Sequence, residues 1–378
     1  MVIGRPSFRP SLVVALVVGL AGPAAAATPT VSAPAYVLQS SVDGRTLAAR
    51  KADESRAMAS ITKLMAVLVA RERASLDEEV VVTAEATQVG ESTLALRAGE
   101  RVSVRDLVVG SLVPSANDAA TALALHVGGG SLPRFVRLMN LKARALGMTR
   151  TRYRNPHGLD EEGHVSTARD SVRLLRVVLR DPVIRRLAAM PAAILSDGTV
   201  VESTDNLIGL VSGFLGGKTG HTAAAGWSQV ASARRGGVTV SAAVLGVSSE
   251  AQRDAELAAL LEWGLASYRA SRVVDPTRTY ARVEVGWGHE PLRLVAPRAL
   301  VRVAPTGRPL VERVMAPAVV ALPVRKGQQL GEVVVRDAGR IVARSPLVAD
   351  RGIAAAGRFE QARFVARRSV HHLVDLVR

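Results

Sequence analysis

Apolar positions in this sequence alternate at strand period, then recur at helical period, then return to strand period. Tyr36-Val37-Leu38-Gln39 alternates, Val42-Asp43-Gly44-Arg45 carries an Asp-Gly turn signal, and a second short strand is expected after it. A helix follows from about Ser60 to Arg73, with Leu64, Val67 and Leu68 on one face. Segments Val104 to Val113, Asn117 to Val127, Leu132 to Leu146 and Ala168 to Leu179 repeat at three-to-four spacing, and Gly, Pro and Asn mark their junctions. Strand patterns return at Trp227 to Ala233 and Val238 to Gly246, before a helix over Ala251 to Ala270. Strands, then helices, then strands predict an α+β domain whose antiparallel sheet joins distant parts of the chain.

Asp275-Pro276 reads as a linker. Beyond it, short alternating runs lie at Ala281 to Val285, Leu292 to Val295, Leu300 to Val303, Val319 to Val324, Gly331 to Val335 and Arg340 to Ala343. They predict a small all-β domain, a sandwich. In the tail, Phe359, Ala362, Ala366, Val370, Leu373, Val374 and Val377 share one helix face, and basic residues lie off it. That pattern predicts an amphipathic helix suited to an anionic membrane surface. The alternative is a helix docked on the protein itself.

The N-terminus changes the picture again. Arg5 and Arg9 precede an apolar run from Leu12 to Ala21, and Gly22-Pro23 leads into Ala24-Ala25-Ala26-Ala27. This is the layout of a cleaved secretory signal, with the run too short for a comfortable membrane span. The expected division is a signal peptide over 1–27, a main domain over 28–275, a β-rich domain over 276–357 and the amphipathic helix over 358–378. The chain is then exported and sits at the outer face of the cytoplasmic membrane.

The 378-residue chain has a net charge of +16, which favours an anionic partner. Aromatics make up only 3% and no basic segment interleaves them, so nucleic acid is not the expected one. The chain contains no cysteine, which excludes a disulfide, a thiol nucleophile and a Cys-zinc site. No His or carboxylate cluster has metal-ligand spacing, and neither metal nor cofactor is expected.

Candidate chemistry lies in three short motifs. Ser60-Ile61-Thr62-Lys63 sets a hydroxyl and an amine three residues apart on one helix face. The amine can activate the hydroxyl if burial and nearby positive charge keep it neutral. In Ser115-Ala116-Asn117, residues two apart point the same way in extended chain, toward a cleft. Lys218-Thr219-Gly220 leads into a predicted strand; its amine adds positive charge, its hydroxyl can bond a substrate carboxylate, and its glycine admits substrate backbone. Each motif alone has an ordinary structural reading: a helix start, an N-cap, a turn before a strand. Together and in this order they correspond to the set carried by class A β-lactamases and penicillin-binding proteins, whose second motif is Ser-Asp-Asn.

On these motifs the sequence resembles the low-molecular-mass penicillin-binding proteins that act as serine D-alanyl-D-alanine carboxypeptidases. Asn155-Pro156-His157-Gly158-Leu159, Lys218-Thr219-Gly220-His221-Thr222 and, near the end, Leu322-Pro323-Val324-Arg325-Lys326-Gly327-Gln328 extend the likeness. The resemblance implies a transpeptidase-like domain with helices on both faces of its sheet and a helical subdomain. It implies an acyl-enzyme on Ser60 with Lys63 as base, a relay through Ser115, and substrate contacts from Asn117, Lys218, Thr219, Gly220 and His221. The backbone N–H groups of Ser60 and His221 form the oxyanion hole, and the His221 ring is not the base. His157 and His164 are read as structural. The implied partners are peptidoglycan stem peptides and β-lactam antibiotics. Met58 replaces a usual Pro. Thr239 falls where some members carry an Arg that grips the terminal carboxylate; recognition then falls to Thr219 and other groups, which leaves room for endopeptidase action on cross-links. Two further alternatives are a β-lactamase using Glu202 and Asn206, and a non-catalytic wall-binding protein.

Overall fold

The structure is a computed structural model that describes residues 12–16, 27–287, 289–355 and 357. The expected amphipathic helix over 358–378, and most of the expected leader, lie outside the described residues. The chain divides into two compact units, one of Ala26–Tyr268 and one joining the segment before it to Arg269 and beyond. The division falls ahead of Asp275-Pro276 because the strand Tyr268–Val274 pairs with Leu300–Pro305, within the β-rich part of the chain.

In the first unit, five antiparallel strands stand in the order Thr46–Arg50, Ala35–Ser40, Val238–Val247, Gly226–Arg235, Phe214–Thr222. Alternation gives the sheet two apolar faces. Val37, Val230, Ala243 and Leu245 join the main core together with helices Lys63–Arg71, Asn117–Val127 and Ala168–Val178. On the other face, helix Glu250–Ala266 crosses so closely that a side chain at Gly264 would stand 3.0 Å from Leu38 and 3.2 Å from Val240. Glu256 on that helix accepts from the Ser32 and Ala33 amides, both at 3.0 Å, and ties the start of the unit to its end.

Helix starts follow their caps. Side chains of Ser103, Ser131, Thr167 and Ser249 each accept from the backbone N–H three residues on. The last helix ends at Ala266 rather than Ala270, because Tyr268 begins a strand and its hydroxyl bonds the Asp43 carboxylate.

The second unit contains a seven-stranded sheet: Leu12–Leu16, Val311–Pro317, Gln329–Asp337, Arg340–Ala349, Leu292–Val295, Thr279–Val285 and Val319–Val320. Val274 from the separate two-stranded sheet shares one core with Val283, Leu294, Val333 and Leu347. The strand Val311–Pro317 was not anticipated. Leu12–Leu16, expected as the apolar stretch of a leader, pairs antiparallel with it. Among the described residues no helix is long and apolar enough to cross a membrane.

Candidate active site

The site is built where a tight turn, a loop and an edge strand converge. Ser60 lies in the 3-10 turn Ala59–Thr62, and Lys63 opens the α-helix that continues it. Ala59 holds a positive φ of 49°, a conformation costly for a residue with a side chain. The segment Asn155 to Leu159 presses against this turn. Asn155 Oδ1 accepts from the Gly158 amide at 2.7 Å. Gly158 has φ 101°, and a Cβ there would stand 2.1 Å from the Ala59 carbonyl oxygen, so no other residue fits without displacing the turn.

Lys63 is fully enclosed. Its Nζ lies 2.7 Å from Ser60 Oγ, 2.6 Å from Asn117 Oδ1 and 3.0 Å from the His157 carbonyl oxygen. Burial, and then the positive charge of Lys218, hold the amine well below its usual pKa, against opposing pulls from Glu91 and Asp118. Asn117 Nδ2 is used too, donating to the Gly90 carbonyl at 2.9 Å.

Across the groove Lys218 Nζ donates to Ser115 Oγ at 2.8 Å and to the Thr219 carbonyl at 3.1 Å. Ser115, like Ala59, has positive φ, 66°. Lys218-Thr219-Gly220 lies within the edge strand Phe214–Thr222 rather than ahead of it. A Cβ at Gly220 would stand 2.8 Å from the Ser60 amide nitrogen, so the bare strand is what permits this approach. The His221 ring stacks on Trp227, centroids 4.2 Å apart. Ser60, Ser115, Asn117, Thr219, Gly220 and His221 all line one cavity of about 310 Å³, with the Lys63 and Lys218 amines beneath it.

His164 stands behind the turn. Its Nδ1 accepts from the Arg154 amide at 3.0 Å and its Nε2 meets Thr62 Oγ1 at 2.7 Å, an arrangement for a neutral ring. Burial lowers its pKa to about 4 and that of His157 to about 3. His157 adds something the sequence did not signal, since its backbone carbonyl is a Lys63 partner.

The structure corrects the reading of Thr239. That residue pairs with Arg234 on a strand separated from Phe214–Thr222 by a whole intervening strand. It is at the wrong end of the sheet to meet a ligand beside Thr219, whose neighbour in register is Gln229. The fixed cation of the groove comes instead from helix Glu250–Ala266. Arg253 lines the cavity, is 1% exposed, and lies over the Trp227 ring at 5.4 Å. Glu250 at 3.1 Å and Asp254 at 2.6 Å hold its guanidinium. Thr204 was missed as well; its hydroxyl meets that of Thr219 at 2.6 Å on the cavity wall. The one sequence signal for Arg253 is a single arginine bracketed by acids within one helical turn.

Glu202 is exposed on a short strand, and Asn206 donates to Glu250 and Asp254, so this pair places no carboxylate in the groove. Among the described residues no group of three or more His, Asp or Glu is placed to hold a metal ion.

Comparison with known proteins decides what the groove belongs to. The peptidase S11 family, D-alanyl-D-alanine carboxypeptidase, matches residues 23–249. The chain belongs to this family. The D-alanyl-D-alanine carboxypeptidase DacC of Escherichia coli K12 is 31% identical over 354 residues, covering 88% of this chain and 86% of its own. The DacF carboxypeptidase of Bacillus subtilis is 29% identical over 327 residues, 83% and 84% of the two chains. Among solved structures, penicillin binding protein 5 of Haemophilus influenzae superposes with a TM-score of 0.64 at 27% identity, covering 87% of this chain and 99% of its own. This D-alanyl-D-alanine carboxypeptidase is therefore a serine-type peptidase, a low-molecular-mass penicillin-binding protein with a sheet-rich C-terminal region.

Proposed function

We propose that the carboxypeptidase reaction runs through an ester on Ser60, with Lys63 as the base, on peptidoglycan stem peptides ending in D-alanyl-D-alanine. The carrying observation is the threefold setting of the Lys63 amine. A neutral amine has two N–H donors and one lone pair. Asn117 Oδ1 and the His157 carbonyl take the donors. The lone pair is left facing Ser60 Oγ, in position to receive its proton as the oxygen attacks the scissile carbonyl. The backbone N–H groups of Ser60 and His221 face the developing oxyanion, and donors so fixed contribute about 3 kcal/mol each. Lys218 and Ser115 pass a proton to the departing D-alanine amine. Water then hydrolyses the ester. A β-lactam acylates the same oxygen.

The leaving D-alanine carries a free carboxylate. Thr219, Thr204 and the buried guanidinium of Arg253 converge on one wall of the cavity, a donor set suited to it. This favours an exopeptidase, whose leaving residue presents its carboxylate to that wall. Export by the leader over 1–27 and attachment to an anionic membrane through the helix over 358–378 complete the proposal, on the strength of the sequence patterns.

Two measurements test it. A fluorescent penicillin labels the wild type and not Ser60→Ala, whose release of D-alanine from a pentapeptide falls roughly 10⁴-fold or more while its fold survives. Mass spectrometry of treated muropeptides shows loss of one terminal alanine; cleaved cross-links without that loss refute the exopeptidase reading.

A further inference from the structure

At the other edge of the central sheet from Phe214–Thr222 lies a second concavity, of about 260 Å³, with a cationic wall. Arg169, Arg173, Arg176 and Arg180 line it, at three- and four-residue steps along and just past helix Ala168–Val178. Residues so spaced share one helix face, while Val172, Leu175 and Val178 carry the opposite face into the core. Gln39 and Gly44, from the first strand and its turn, form the facing wall. No acidic residue lines the cavity.

The nearby carboxylates are already engaged. Asp53 takes Arg169, at 2.8 and 3.0 Å. Asp170 accepts from Thr151 and lies 3.5 Å from Arg173. Asp181, next to Arg180, caps the following helix through the Val183 and Ile184 amides and pairs with Arg71 at 3.2 Å. Asp43, beside Gly44, accepts from the Tyr268 hydroxyl and lies 4.0 Å from Arg45. Among the described residues Arg176 and Arg180 have no acidic partner. An Arg-rich surface alone does not account for this. A solvated helix face sets acids within a turn of its cations. Here like charges are stacked on a concave wall, which concentrates their field.

We propose that this pocket binds a phosphate-type oxyanion, with Arg176 and Arg180 as the principal contacts and Arg173 and Gln39 beside them. Planar guanidinium forks match phosphate oxygens in pairs. Two sources carry this chemistry, a free phosphate and the headgroup of an anionic lipid. The latter would give the hydrolase a second hold on a charged surface, independent of its tail.

The test titrates the full chain with inorganic pyrophosphate by calorimetry. It then measures sedimentation with vesicles of phosphatidylcholine alone or mixed with phosphatidylglycerol, at low and physiological salt. Arg176→Ala/Arg180→Ala is compared throughout, with Arg180→Gln as a milder second variant, and penicillin labelling checks that each is folded. The expected result is salt-sensitive binding that weakens roughly thirtyfold in the double variant, with unchanged labelling. Loss of pyrophosphate binding identifies free phosphate as a ligand; loss confined to phosphatidylglycerol vesicles identifies the headgroup. The tail is common to all the proteins, so it cannot produce the difference. Wild type binding neither probe, or folded variants binding both as tightly as wild type, overturns the proposal.

Discussion

The proposed role of Lys63 as base requires an uncharged amine, and its depressed pKa owes most to burial and next to the charge on Lys218. Burial in turn brings Lys218 down to about 7, with Arg253 pushing the same way and Asp205 opposing. Asp205 is buried, and burial raises its own carboxyl to about 6. Its Oδ1 accepts from Gln229 Nε2 at 2.6 Å and from the Leu207 amide at 3.0 Å, and its Oδ2 has no hydrogen-bond partner. That oxygen sits 2.6 Å from where a Cβ on Gly217 would be, so the glycine before Lys218 makes the room for it. Asp205 ionised favours the ammonium form of Lys218. Asp205→Asn removes that support, burial acts with less opposition, and Lys218 gives up its proton at lower pH. The alkaline limb of the kcat/KM profile for D-alanine release therefore moves to lower pH; an unmoved limb in a folded variant would leave Asp205 a packing role only. Ser60, Lys63, Ser115, Asn117 and Lys218 were legible because each motif is short and local. Arg253, Thr204, Asp205 and the His157 carbonyl were not, since only the assembled sheet brings them to the groove, and the family likeness points to Thr239, which lies away from it.

Elements were legible where a period had room to repeat. Asn117–Val127 was read to the residue, and helices over 104–112, 132–145 and 168–178 to within one, because apolar spacing had several turns in which to repeat; Ser or Thr caps also mark the starts of the last three. The hairpins Glu79–Val81 with Arg101–Ser103, and Ala192–Ile194 with Val200–Glu202, were not seen, as three residues give no alternation to read. Contacts between elements were legible only as glycine positions. Gly158 and Gly198 both have positive φ, 101° and 89°, but a Cβ on Gly158 would stand 2.1 Å from the Ala59 carbonyl oxygen, whereas one on Gly198 would face open space. Gly198→Ala is expected to cost about 1 kcal/mol, the backbone penalty alone. Gly158→Ala adds overpacking of about 1–3 kcal/mol and shifts the turn bearing Ser60, so penicillin acylation slows as well as melting temperature falling. Thermal unfolding and labelling rates of the pair separate the two effects; equal loss in both would mean that the loop yields and the turn is not held by it.

At the scale of the molecule, the proposed catalytic residues and the core beneath them lie wholly within 26–268. The main apolar cluster runs from Ala35 to Leu245, and Glu256 clasps Ser32 and Ala33 from the last helix. Residues 269 onward contribute their own core around Val283, Leu294 and Val333. A fragment of residues 27–268 is therefore expected to fold and to be labelled by penicillin. Its acid sensitivity follows from the same enclosure. His164 and His157 are held neutral to about 4 and about 3, whereas an unfolded chain protonates them near 6.5. Between those values the unfolded state binds more protons, so stability falls as pH drops from about 6.5 toward 4. Asp205 acts oppositely, since its raised carboxyl lets the folded state take up a proton below about 6. Two imidazoles against one carboxyl leave a net loss of several kcal/mol. Because all three groups lie inside 26–268, chemical denaturation of the fragment and of the full chain should show the same decline in the catalytic unit across this window. His164→Gln retains donor and acceptor atoms without the imidazole proton, and should flatten part of that decline. A slope unchanged by His164→Gln would place the acid sensitivity elsewhere.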